Sequence, residues 1–343
     1  MKREKLLVIL LSPSSFSMQD VKILEKHFEV KLLIHAKTTG LGYPIELTKF
    51  ALHSTYLMLT GYRKTFSVFA DTHMLVPILL SKILGTKTYI TIGGYEVFSK
   101  EEIDFKQDVM PKWRRNIIRF IIKHATVLLP KSHELAEKTI PIRGRKDDVI
   151  TLFNGFDSSL FNVNTNVKST PRSVLTIAQV ADYKTFLIKG IDRILSYAEN
   201  NPDFHFTIVG IQDSMLHYFP KLKNLTIVKP VSHLETILYY AKNQFYLLPS
   251  RSEGMPNALC EAIFCGCIPL AFNAGNSTFI VNNPDFILQD ESQAEFNRIV
   301  HLPQLEEASK SIRNRAESLF SLSTREVSLA EIIAGQKRMS NHL

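Results

Sequence analysis

Short apolar runs rich in β-branched and aromatic residues alternate with helix-period segments along almost the whole chain, in two series. The first comprises LLVILL (6–11), VKLLIH (30–35), FSVFA (66–70), TYITIG (88–93) and TVLLP (126–130). The second comprises SVLTIAQV (173–180), FHFTIVG (204–210), LTIVKP (225–230), FYLLPS (245–250) and IPLAF (268–272). Near-continuous apolar runs, as opposed to strict alternation, suit strands covered on both faces, the situation in a parallel sheet flanked by helices. Between about 151 and 172 the chain is rich in Asn, Ser, Thr and Gly, carries no helical period and reads as a linker.

The pattern predicts an α/β chain of two Rossmann-like, doubly wound domains facing a central cleft. Residues 1–160 would form the first and 161–324 the second, and a helix would follow at about 325–343. In such sheets ligands bind beyond the carboxyl ends of the strands. The 343 residues exceed the usual single-core size, and 45% apolar content supplies two cores. Lys and Arg (41) outnumber Asp and Glu (33), a net +8 that favours anionic partners. Nucleic acid is not favoured among them, because the basic residues are dispersed without a recognised motif or aromatic platform.

The start, MKREKLLVILLSPSS, imitates a signal peptide, but its apolar run stops at Ser12 and Pro13 and reads better as a first buried strand. No stretch approaches the roughly 18 apolar residues of a membrane span. Cys260, Cys265 and Cys267 are odd in number, crowded and without paired zinc spacing, which fits structural thiols in a reducing cytoplasm.

The most specific stretch is SRSEGMPNALCEA, where Glu253 and Glu261 stand eight positions apart. FYLLPS ends at Ser250, RSEG turns the chain, Pro256 suits the first helical position, and Gly266 suits the stop. The helix N-terminus offers backbone N–H groups and a positive dipole end to a phosphate. Gly254 removes a side chain where a ligand must come close. Two bare glutamates would read as solvated helix-start acids. With a diphosphate at the helix start, they read as grips on hydroxyl-bearing groups either side of it, a sugar and a ribose.

This segment resembles the Glu-x7-Glu signature of glycosyltransferase family 4, retaining enzymes with the GT-B fold. VITLFNGFDSSLF (149–161), KGIDRIL (189–195), DFHFTIVG (203–210) and HATVLLPKSHEL (124–135) resemble other segments of that family, so the likeness covers most of residues 85–285. The resemblance implies that Glu253 contacts the donor sugar, Glu261 holds the ribose, and backbone amides around Met255, Pro256, Asn257 and Ala258 bind sugar and diphosphate. It implies that Lys189 neutralises the leaving diphosphate, with Gly210 and Val231 completing the donor site, that the first domain is the acceptor side, and that the helix at about 325–343 packs back on it. Fixed cations or helix dipoles must meet the charge that grows on a departing diphosphate. No Asp-x-Asp occurs in the chain, so the expected chemistry uses no metal and no cofactor beyond the nucleotide-sugar donor, with a UDP-sugar favoured.

Three departures from the family pattern stand out. Gln179 occupies the place of a usual phosphate-binding arginine, leaving Lys184 or Arg251 as substitutes. ITIGGYEVF offers Gly93, Gly94 and Glu96 where many members have a histidine. The first loop has Ser14 and Ser15 in place of a Gly-Gly pair. With Ser132, these first-domain residues are expected to line the acceptor side. His73 and His133 read as core or surface residues rather than ligands.

PKWRRNIIRFIIKHA (111–125) reads as an amphipathic helix, with Lys112, Arg115, Arg119 and Lys123 on one face and Trp113, Ile117, Phe120 and Ile121 on the other. Both an ordinary domain helix and a peripheral membrane contact fit it. The expected activity is metal-free transfer of a hexosyl or N-acetylhexosaminyl group to a glycan or lipid-linked glycan, in bacterial cell-surface polysaccharide synthesis. Its expected location is the cytoplasm, at or near the inner face of the membrane. A GT-B sugar-nucleotide epimerase and a non-catalytic nucleotide-sugar binding protein are the alternatives. A nicotinamide enzyme is disfavoured by the lack of Gly-x-Gly-x-x-Gly after the first strand.

Overall fold

The computed structural model describes residues 3–35, 42–105, 110–161 and 169–336. Part of the expected linker (162–168) and the end of the expected returning helix (337–343) lie outside the described residues. The chain divides into two compact units: Gly155–Thr324 forms one, and the described residues before and after it form the other.

The first unit holds a five-stranded sheet of β1 (Lys5–Leu10), β2 (Glu29–Ile34), β3 (Lys64–Val68), β4 (Lys87–Ile92) and β5 (Val127–Pro130). All pairings are parallel and the order is β2-β1-β3-β4-β5. Leu6 to Leu10 are fully buried, because a central parallel strand is covered on both faces. Each such side chain contributes roughly 1.5–3 kcal/mol of transfer free energy. The helices are α1 (Ser15–His27), α2 (Gly42–Leu59), α3 (Leu75–Leu84), α4 (Lys100–Phe105), α5 (Lys112–His124) and α6 (His133–Arg143). Phe50, Leu57 and Met58 of α2, Ile78 of α3 and Ile118, Ile121 and Ile122 of α5 share one core with Leu7, Ile9 and Ile90 of the sheet.

The buried stripe of α5 is therefore Ile118, Ile121 and Ile122. Trp113, expected on the buried side, is 55% exposed. Five residues before Ile118 it lies about 140° away around the helix, out of reach of the core.

The second unit holds β6 (Thr170–Val180), β7 (His205–Ile211), β8 (Leu225–Val228), β9 (Asn243–Leu248), β10 (Ile268–Phe272) and β11 (Ile287–Leu288). They form one parallel sheet in the order β11-β10-β9-β6-β7-β8. Its helices are α7 (Ser158–Phe161), α8 (Tyr183–Ile188), α9 (Ile191–Asn200), α10 (His233–Lys242), α11 (Asn257–Phe264), α12 (Ser277–Val281), α13 (Gln293–Val300) and α14 (Leu305–Phe320). From β6 the chain winds one way through β7 and β8, then returns to place β9 on the other side. The switch point thus falls between the carboxyl ends of β6 and β9.

A last helix, α15 (Leu322–Ala334), belongs to the first unit from Arg325 onward. Arg325 is buried and donates to both carboxylate oxygens of buried Asp20 at 2.6 and 2.7 Å. Lys64 Nζ donates to the Ile333 carbonyl at 2.7 Å. No helix of the described residues is long and apolar enough to cross a membrane.

Candidate functional site

In the second unit, the end of β6 and the end of β9 border a cavity of about 190 Å³ at the switch point. Thr176, Ile177 and Ala178 line it from β6, and Leu248, Pro249 and Ser250 from β9 and its extension. Lys189, Glu253 and the segment Met255–Ala258 close its mouth. Its volume is below the roughly 300 Å³ of pockets that enclose a whole ligand.

Two loops deliver the charged groups. Lys189 ends α8, and Gly190 then starts α9 with φ +66. A Cβ on Gly190 would stand 2.0 Å from the Pro249 carbonyl oxygen, so only glycine lets the two loops meet. The Arg251 amide donates to the Ile188 carbonyl at 2.9 Å, and Arg193 Nη1 donates to the Pro249 carbonyl at 2.8 Å. With the loops fastened together, Lys189 Nζ lies 2.7 Å from Glu253 Oε1, and both side chains are largely covered. On the far side, Gly275 (φ +58) packs against the same loop, where a Cβ would come within 2.5 Å of the Glu253 carbonyl oxygen.

Helix α11 begins after Pro256, which is its N-cap (φ −74, ψ 89) and not its first helical residue as the sequence suggests. The Pro256 carbonyl accepts from the Leu259 and Cys260 amides at 3.1 and 3.3 Å. Gly266 follows the C-cap with φ +87. Asn257 and Ala258, the first two residues of α11, border the cavity at the positive end of the helix dipole.

Glu261, on the second turn, is 6% exposed and does not line the cavity. His233 Nε2 lies 2.9 Å from its Oε1, and the Tyr240 hydroxyl donates to its Oε2 at 3.1 Å. The hydrogen bond to Glu261 raises the His233 pKa, against the opposing effect of burial. Each carboxylate oxygen can accept twice, so Glu261 keeps acceptor capacity beyond these two partners. The two glutamates thus have separate partners. Neither His233 nor Tyr240 was marked by sequence reasoning, although SHLE (232–235) carries the capping box that starts α10.

The remaining second-unit candidates lie outside the cavity lining. Gln179 and Lys184 are exposed. Arg251 donates to both oxygens of Asp192 at 2.7 and 2.6 Å and to the Leu187 carbonyl, which fastens α9 to the loop and occupies its fork. Gly210 (φ +107) ends β7 against the Ala178 carbonyl, and Val231 precedes the α10 cap.

The first-unit candidates all sit at the carboxyl ends of strands, but their polar groups are turned onto their own loops. Ser14 caps α1 in a reciprocal pair with Ser17, and exposed Ser15 is the first residue of that helix. Glu96, expected to face a ligand, is buried and accepts from the Gly93 amide at 3.2 Å and the Gly94 amide at 2.8 Å. Burial raises its pKa. Ser132 is fully buried and caps α6 through the Leu135 amide at 3.1 Å. His73 is a core residue, with Nε2 3.0 Å from the Ser67 hydroxyl, and burial lowers its pKa to about 4. His133 packs edge-on against Phe153. Cys260 and Cys267 are buried free thiols, and burial pushes Cys265 up to about 12.

Residues 171–302 match the model of the family described as glycosyl transferases group 1. The chain is 27% identical over 206 residues to the capsular polysaccharide biosynthesis glycosyltransferase CapH of Staphylococcus aureus, covering 57% of this chain and 55% of that one. It spans about half the length of the curated relatives it matches. Sucrose-phosphate synthase from Thermosynechococcus elongatus superposes with a TM-score of 0.74 at 15% identity, over 97% of this chain and 99% of that one. HepE of Anabaena, solved in complex with UDP, gives 0.71 at 14% identity, over 97% and 100%. At these identities the likeness establishes the fold: two Rossmann-like parallel-sheet units of GT-B type.

Proposed function

We propose that this chain is a retaining glycosyltransferase that moves a sugar from a nucleoside-diphosphate donor to a hydroxyl acceptor in bacterial polysaccharide synthesis. The observation that carries the reading is the Lys189–Glu253 pair, held at the switch point beside the N-terminus of α11. The group 1 match over 171–302 covers this site, and CapH and the UDP complex of HepE favour a polysaccharide product and a UDP-sugar donor.

In this reading the donor diphosphate enters between Lys189 and the first-turn amides of α11, and Glu253 turns to the sugar hydroxyls. Glu261, braced by His233 and Tyr240, accepts from the ribose. The acceptor oxygen bonds to the anomeric carbon on the face the diphosphate leaves. As the carbon–oxygen bond to the diphosphate breaks, the acceptor proton passes to a diphosphate oxygen. Lys189 and the helix dipole stabilise the charge that develops there, so the donor grip needs no metal ion.

Calorimetry of UDP, GDP, ADP and dTDP in EDTA tests the donor site. The expected result is preferential UDP binding, weakened more than tenfold in Glu261→Ala. Equal or absent binding of all four by folded protein would overturn the reading. Binding with donor consumption in the absence of any acceptor would favour the epimerase alternative.

A further inference from the structure

Helix α2 is apolar on two opposite sides. Its inner side buries Phe50, Leu57 and Met58 in the first unit's core. Its outer side carries Ile45, Leu52, Tyr56 and Leu59, each at least 59% exposed. At 100° per residue these four fall in a stripe about 60° wide, diametrically opposite the buried one. An ordinary surface helix has one apolar face, so the second is unexplained by the fold. Next to α2 lies α3, whose Leu79 and Ile83 are 45% and 79% exposed. Next to α3 lies α5, linked to it where Lys82 Nζ sits 5.6 Å over the Phe120 ring.

Helix α5 completes the surface with charge. Lys112, Arg119 and Lys123 project outward at helical spacing, beside the exposed Trp113. Neither α3 nor α5 contains an acidic residue, and the one in α2, Glu46, pairs with Lys49 at 2.9 Å. Of the exposed large apolar side chains among the described residues, seven of sixteen lie on these three adjacent helices. An apolar stripe bordered by Trp and by Lys and Arg without an acidic partner among the described residues is the chemistry of a surface that lies in a lipid headgroup layer. A second copy of the chain would set basic helix against basic helix, whereas an anionic bilayer complements both halves.

We propose that the outer face of α2, α3 and α5 docks the first unit on a bilayer containing anionic lipid, with the α2 stripe entering the acyl boundary. Trp113 is the only tryptophan in the chain, so its emission reports on this face alone. The full chain is mixed with phosphatidylcholine vesicles and with vesicles containing about a third phosphatidylglycerol. The expected result is a blue shift and co-sedimentation with the anionic vesicles only, reversed by salt.

Lys112→Gln/Arg119→Gln/Lys123→Gln should lower partitioning about a hundredfold, at roughly fivefold per charge. Leu52→Ser/Tyr56→Ser should lower it about tenfold or more. These positions are exposed, so circular dichroism and thermal midpoint should stay near the parent's. Three outcomes would overturn the proposal: no blue shift with anionic vesicles, equal binding to both vesicle types, or partitioning indifferent to both variants. A solution dimer that Leu52→Ser/Tyr56→Ser dissociates, without vesicle binding, would assign the face to a second copy instead. The readout needs neither donor nor acceptor, so its failure leaves the transfer reading standing, and the reverse also holds.

Discussion

At the carboxyl edge of the first sheet, Ser14, Glu96 and Ser132 are bound by their own loops; at that of the second, Lys189 and Glu253 meet over a cavity. Both edges belong to parallel sheets and both are followed by helix N-termini. What differs is where the side chains are turned. A serine cap satisfies the helix amides locally and closes the edge. At α11 the cap is Pro256, which has no such side chain, and the cavity borders that end of the helix.

The sharpest test of this contrast uses one substitution at a glycine of each unit. Gly190→Ala must place a Cβ 2.0 Å from the Pro249 oxygen with backbone on both sides, whereas Gly85 has a similar φ and nothing within 4 Å. Urea denaturation should register a loss of about 3 kcal/mol or more for the first and about 1 kcal/mol for the second. Equal losses would mean that the loops of the second unit are not interlocked.

Next in size, Lys189→Ala should lower the transfer rate about a hundredfold while barely moving the thermal midpoint. Ser132→Ala should do the opposite, costing about 1 kcal/mol of stability with transfer unchanged. If Ser132→Ala abolished transfer in a protein of parental stability, the first edge would be a ligand site too, and the contrast would fail.

Two histidines, one in each unit, titrate in opposite senses. Burial holds His73 neutral with a pKa of about 4, so the unfolded chain binds the extra proton between about pH 6.5 and 4. Its contribution to stability is present above that window and falls as pH drops through it, at up to about 1.4 kcal/mol per unit. His233 is raised by Glu261. Its contribution is therefore present below the ordinary histidine value and is lost as pH rises through the raised one. An NMR titration should place the His233 transition above that of an unstructured histidine, and Glu261→Gln should bring it back down.

Most of the fold was legible because parallel strands are apolar throughout: ten of the eleven appear in the sequence within a few residues. Ile287–Leu288 escaped notice because two residues carry no period. The Glu253 loop, the α11 helix and the Lys189–Gly190 junction were legible because each has a local signature. The partners of Glu261 were not, since His233 and Tyr240 reach it across 28 and 21 positions. Nor was Gly275, whose need for glycine is created by the Glu253 loop it touches. Glu96 misled for the same reason: only the folded loop reveals that its carboxylate serves two neighbouring amides.

The Asp20–Arg325 pair sets a timetable for making the protein. Asp20 leaves the ribosome early, but its buried partner is separated from it by the whole of Gly155–Thr324. The two are 305 positions apart, so at ordinary elongation rates that interval is roughly 15–60 s. Through it the nascent first unit holds a carboxylate made for burial with no guanidinium to meet it. The second unit, continuous in sequence, can close as soon as it emerges. Of the two, the half that is translated first is the one that finishes last.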